Sequence, residues 1–254
     1  MGQVTAIEIV NHGVNAAGLR PLETRLCRLN GRHEEPLRVL VFDGSCAEAL
    51  ATALTAPIDA AIDAGCGDEA AFSLPSALLT LRVSTVTANR LELAQIFVDT
   101  LQARYPEMES LASRMMDALQ EAVGNAVMHG NLGLDSRFRA TLEGLRWFAA
   151  AMAERLADPV FAHLPVTIVA QLRRGGIVVW VEDHGQGFDY SEAPSLPLMS
   201  AAGGYGLSII LGSCDKVSFS RGGRRISMLF RLPQRTIQTA DKSSSRMQPS
   251  SKRL

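Results

Sequence analysis

Apolar positions recur along the chain with two periods, and the switches between them outline a fold. Alternation with period two marks residues 77–85 (ALLTLRVST), 166–172 (VTIVAQL), 177–183 (IVVWVED), 216–220 (KVSFS) and 225–232 (RISMLFRL) as strands. The intervening RRGG and RGGR supply turn glycines, so the last four strands are predicted to form two hairpins. Helical periodicity covers 88–105 (ANRLELAQIFVDTLQARY), then runs from about Met108 to Met128, with Gly130-Asn131 as its stop. A further helix lies at LEGLRWFAAAMAERL, inside the charged stretch 132–164, and a short one at GLSIILGS. Nearer the start, PLRVLVFDG reads as a strand ending at Asp43-Gly44. CAEALATALTAPIDAAIDAG reads as one alanine-rich helix.

The order is strand, helix, helix, inserted helical region, hairpin, loop, helix, hairpin. Elements in this order pack as an α+β fold, a two-layer α/β sandwich. Residues 1–75 form a small N-terminal α/β extension of unknown role, 76–235 the main domain, and 236–254 a polar, serine-rich tail predicted to be disordered. A degenerate receiver domain for the extension rests on one acid after the strand VLVFD, with the remaining sheet missing, and is set aside.

Composition narrows the function classes. A chain with 47% apolar and 20% charged residues can bury a substantial core. A formal net charge of −1 gives no general drive toward nucleic acid or an anionic membrane. No apolar run approaches the roughly 18 residues needed to span a bilayer, and the N-terminus lacks the form of a secretory signal. Cys27, Cys46, Cys66 and Cys214 are scattered, which argues against a zinc site or disulfide framework and makes a reducing cytoplasm the default location.

Three stretches carry candidate chemistry. In ALQEAVGNAVMHGN (118–131), Glu121, Asn125 and His129 fall at four-residue spacing beside an apolar face of Leu111, Met115, Leu119, Ala122 and Ala126. Gly124 sits inside this helix at a cost of ~1 kcal/mol against alanine; either a close approach or a tight helix contact would explain it. In VEDHGQGFD (181–189), Asp183 ends a strand and could accept a hydrogen bond from an exocyclic amine. Gly185 and Gly187 beyond it would let a flat ring approach the backbone. In AGGYGLSII (202–210), Gly203, Gly204 and Gly206 precede an apolar helix, an arrangement that aims backbone N–H groups at a phosphate. Taken singly, these read first as a solvated helix edge, a turn, and a flexible loop before a helix.

Together, in this order and spacing, EAVGNAVMHGN, DHGQGF and GGYGL resemble the N, G1 and G2 boxes of the GHKL ATPase superfamily, which has the Bergerat ATP-binding fold. The likeness covers about residues 76–233. Within the superfamily it is nearest to bacterial anti-sigma-factor serine/threonine kinases and related modules of partner-switching systems. The resemblance implies ATP and Mg²⁺ as cofactors. It implies that Asn125 holds Mg²⁺ alongside the ATP phosphates, that Glu121 is the general base, and that Asp183 binds the adenine amino group. Gly185 and Gly187 would shape the adenine pocket. Gly203, Gly204 and Gly206 would line the phosphates beneath a lid of roughly 188–203, and His129 would cap the helix or approach phosphate. The implied partners are proteins: an anti-sigma antagonist or STAS-type substrate, and a sigma factor or other regulator, with a homodimer left open.

The chain departs from the pattern at Tyr205, where many relatives carry arginine, and no Lys or Arg occurs between Arg174 and Lys216. An ATP-gated protein-binding module without catalysis is therefore the alternative. A two-component histidine kinase fits less well, because His12 and His33 lie in glycine-containing segments rather than on long amphipathic helices.

Overall fold

The computed structural model describes residues 7–26, 36–55, 57–67, 74–135, 141–188 and 205–232. The expected lid beyond Phe188, Gly203, Gly204, His33 and the 236–254 tail lie outside the described residues.

The alternating segments pair as expected. Strands β1 (Ile7–His12), β2 (Leu37–Phe42), β3 (Ala60–Asp63), β4 (Leu79–Ser84), β5 (Pro165–Arg173), β6 (Gly176–Glu182), β7 (Lys216–Ser220) and β8 (Arg225–Arg231) build one sheet, ordered β1-β2-β3-β4-β5-β6-β8-β7. β1 to β4 run parallel, and every pairing from β4 onward is antiparallel. The helices are α1 (Ala16–Leu26), α2 (Ala47–Ala53), α3 (Thr85–Arg90), α4 (Leu93–Arg104), α5 (Ala112–Asn125), α6 (Leu142–Ala157), α7 (Pro159–Ala162) and α8 (Tyr205–Ser213).

Register explains the layers. Leu81, Ile168, Val181 and Ile226 are cross-strand neighbours on one face, as are Leu79, Ala170, Val179 and Met228. That face is apolar, and its buried residues form one core with Phe97 of α4, Met115 and Leu119 of α5, and Ile210 of α8. The opposite face carries Thr80, Arg82, Thr167, Trp180, Glu182, Ser227 and Arg225. There Arg225 lies over the Trp180 ring at 3.9 Å and pairs with Glu182, while Arg82 donates to Thr167 at 3.1 Å. One greasy and one polar face is what a two-layer sandwich requires. The fold class is the expected mixed α/β sandwich, with eight strands and eight α-helices among the described residues.

The N-terminal part differs from its reading in one element. The alanine-rich segment is not a single helix: α2 stops at its C-cap Leu54, and Ala60–Asp63 is a strand buried along its whole length between β2 and β4. Pro57 breaks the helix, and burial in a parallel sheet overrides alanine's helical preference. β3 pairs with β4, so the first three strands continue the sheet of the rest. α2 packs Leu50 and Leu54 on the main core face. α1 packs Leu22 and Leu26 against Val39, Val41 and Ile62 on the other, adding a third layer at this edge.

The long helix expected over Met108–Met128 is also compound. A 3₁₀ turn, Pro106–Leu111, leads into α5, and a π turn, Ala126–Asn131, follows it. Gly124 meets nothing that demands a glycine: an added Cβ would contact only Met128 Cε, at an ordinary 3.6 Å. Gly124→Ala should therefore stabilise the protein by about 0.5–1 kcal/mol, the helix-propensity difference, read as a higher urea midpoint with unchanged slope.

Candidate functional site

The three candidate stretches converge on one cleft of about 800 Å³, lined by Asn125, His129, Gly130, Asp183, Gly187 and Gly206. Glycine side chains, or their absence, shape it. An added Cβ at Gly130 would lie 2.7 Å from both carboxylate oxygens of Asp183. One at Gly185 would strike the Gly130 carbonyl oxygen, and one at Gly206 would lie 2.5 Å from Glu121 Oε2. Gly187 has φ +72°, and a Cβ there would meet the Gly222 carbonyl of the β7–β8 turn. The glycines thus bring the end of α5, the loop after β6 and the start of α8 closer than residues with side chains could.

The end of α5 owes its geometry to the π turn. Had the α-helix continued, His129, seven residues past the buried Ala122, would lie within about 20° of the same azimuth. The wider turn, closed by Leu132 N–H to Val127 O at 2.9 Å, leaves His129 exposed instead. Its Nδ1 lies 2.6 Å from the Leu134 carbonyl. A carbonyl only accepts, so Nδ1 is the donor in this contact. His129 therefore ties down the chain beyond the turn from the cleft wall.

Asp183 follows β6. Its backbone N–H donates to Arg224 O at 3.0 Å, and its Oδ1 accepts from Gly185 N–H at 2.9 Å. Burial pushes its carboxyl up from the usual carboxylate range to about 6; the Gly185 hydrogen bond and the Arg224 charge only partly oppose this. Val181, Phe219 and Ile226 supply apolar lining, and Phe188 meets Phe219 edge-on at 5.2 Å. A flat heterocycle with a donor toward Asp183 fits such walls.

Two residues escaped the sequence reading. Arg224 lines the cleft, so a cation stands there although the lid segment is poor in them. Its stretch, RGGRR, signalled only a turn. Asn131, read as a helix stop, is 2% exposed and connects three segments. Its amide donates to Thr85 Oγ1 (2.8 Å), Pro165 O (3.1 Å) and Leu164 O (3.3 Å), and its Oδ1 accepts from His184 N–H (2.7 Å). Tyr205, by contrast, is 56% exposed at the start of α8. His12 ends strand β1 rather than lying on a helix.

The sandwich, with a half-open cleft joining a helix end, a glycine-rich loop and a second helix start, defines a nucleotide-binding domain. The family of the histidine kinase-like ATPase domain matches residues 84–230, and the chain belongs to it. No curated protein matches the chain. Membership implies ATP binding, generally with Mg²⁺, and the acid, amide and glycines at the cleft suit those groups. Among the described residues no helix is long and apolar enough to cross a membrane.

The half-buried carboxylate at 183 sets a stability test. A folded pKa above the unfolded one contributes stability below about pH 3.8, and that stability is lost as pH rises through about 6. Asp183→Asn keeps the acceptor for Gly185 and removes the half-buried charge. It should stabilise the protein at pH 7.5 by on the order of 1–2 kcal/mol after screening, with the gain shrinking toward pH 4. Parallel urea melts of both proteins across that range measure it.

Proposed function

We propose that this chain is an ATP-dependent serine/threonine protein kinase of the anti-sigma-factor type, acting in the cytoplasm of a bacterial partner-switching pathway. The observation that carries the reading is the meeting of Glu121 with the first turn of α8: Gly206 leaves room for the carboxylate there, and Asn125, one helical turn further on, lines the cleft with Gly206. An acid and an amide together at a helix start suit phosphoryl transfer better than nucleotide storage alone.

In this reading Asp183 accepts the adenine amine, and the apolar lining around Val181 and Ile226 holds the ring. Asn125 offers its amide oxygen to Mg²⁺, and the first N–H groups of α8, with Gly203 and Gly204 before them, cradle phosphate. ATP with Mg²⁺ supplies an activated phosphoryl group with its charge neutralised. Glu121 takes the proton from the Ser or Thr hydroxyl of the protein substrate, a small antagonist of the STAS type. His129 keeps the end of the π turn in place. The alternative, an ATP-gated binding module, draws on the exposed Tyr205, which leaves that position without an arginine at the phosphate end.

Calorimetric titration with ATP, with and without Mg²⁺, tests the site. Asp183→Ala should weaken binding roughly 10- to 100-fold. Asn125→Ala should abolish the gain that Mg²⁺ confers. Negligible binding by the wild type and both variants alike would remove the ATP assignment. Labelled ATP incubated with antagonist proteins encoded beside this gene separates the two readings. Transfer that falls by roughly 10²–10⁴ in Glu121→Ala identifies the kinase. ATP-dependent partner binding without transfer, unchanged in Glu121→Ala, identifies the module.

A further inference from the structure

We propose that Asn131 is the positioning residue for adenine recognition: through its carbonyl contact with the His184 N–H it fixes the loop that carries Asp183, and so sets base selectivity. The proposal rests on the assignment of Asp183 to the adenine amine.

The geometry is specific. Asp183 is held from behind by the turn just before β8, through its N–H to Arg224 O, and its side chain faces Gly130. The next residue, His184, gives its N–H to Asn131 Oδ1 at 2.7 Å, the shortest of the amide's four contacts. The amide nitrogen of the same side chain is anchored on Thr85 Oγ1 and on the Leu164 and Pro165 carbonyls, where the end of β4 pairs with the start of β5. Thr85 Oγ1 in turn donates to Leu164 O at 2.7 Å, which fixes the hydroxyl as an acceptor toward Asn131. One buried amide therefore measures the distance from the sheet to the loop, with both of its ends used. A buried, fully bonded polar side chain is worth more for the geometry it dictates than for net stability.

The π turn places it. Asn131 is the last residue of that turn, adjacent to Gly130, whose missing side chain admits Asp183. Recognition acid and positioning amide thus face the same short segment, one across from residue 130 and one hydrogen-bonded from residue 131. If the amide is lost, the loop can move relative to α5, and Asp183 no longer meets the base at a fixed place. The phosphate end, at Asn125 and Gly206, is held by other contacts and should be affected less.

The test compares ATP with purine riboside triphosphate, which lacks the 6-amino group, by calorimetry on the full chain. The wild type should favour ATP by roughly tenfold, the worth of a hydrogen bond to a charged acceptor. In Asn131→Ala this ratio should fall at least threefold, with affinity for the analogue changed less than twofold. Combined with Asp183→Asn, Asn131→Ala should have no further effect on the ratio. If Asn131→Ala does not fold, Thr85→Val, which removes one anchor and leaves the His184 contact, decides by the same ratio and should lower it in the same direction. A folded variant with the wild-type ratio overturns the positioning role. A wild-type ratio near one, with ATP still bound, retracts Asp183 as the adenine acid and the proposal with it.

Discussion

The site depends on the absence of a side chain at residue 130. Asp183 lies so close to the backbone of Gly130 that even a methyl group there would overlap its carboxylate, and Gly185 rests against the Gly130 carbonyl. This contact joins the end of the helix that bears Glu121 and Asn125 to the loop that follows β6. Without it the two would stand a side chain apart, and the cleft would be two unrelated surfaces. The π turn is the local device that makes the approach, since it redirects residues 129–131 from where a continuing α-helix would place them.

That constraint has an energetic counterpart at Asp183. Pressing a carboxylate against backbone removes water from it, and its pKa rises to about 6 as a result. The folded chain thus carries a group whose ionisation at neutral pH opposes folding, at the point where a ligand's donor would offset the cost. Groups with shifted pKa values cluster at functional sites. The rest of the sheet supplies rigidity: β5, β6 and β8 are paired along their lengths, and their apolar face is sealed by α4, α5 and α8.

Much of this was legible in the sequence, for identifiable reasons. The strands from β4 onward alternate, and the hairpins carry glycine turns, so period and punctuation agree. The apolar face of α5 is as read, with Met115, Leu119, Ala122 and Ala126 buried and Glu121 and Asn125 half-buried at its edge. Three motifs, each weak alone, point to one pocket because their order is informative. What stayed hidden depends on contacts distant in sequence. Alanine at 60 and 61 reads as helix until neighbouring strands bury it. The π turn has no periodicity of its own over six residues, and Asn131 looks like any asparagine after a glycine. Arg224 sits in a turn whose approach to Gly187 cannot be seen from spacing. Gly185 and Gly187 also meet protein backbone at their missing Cβ positions, an approach that the motif did not announce.

If one nucleotide joins the end of α5, the loop after β6 and the start of α8, adding Mg²⁺–ATP to the full chain should change the backbone amide chemical shifts of all three together. The largest changes should fall at Asn125–Asn131, Asp183–Gly187 and Tyr205–Leu207, with the strands β1 and β2 little affected. Shifts concentrated on β1–β3, or spread over the polar face around Trp180 with those three segments unmoved, would contradict a single shared site.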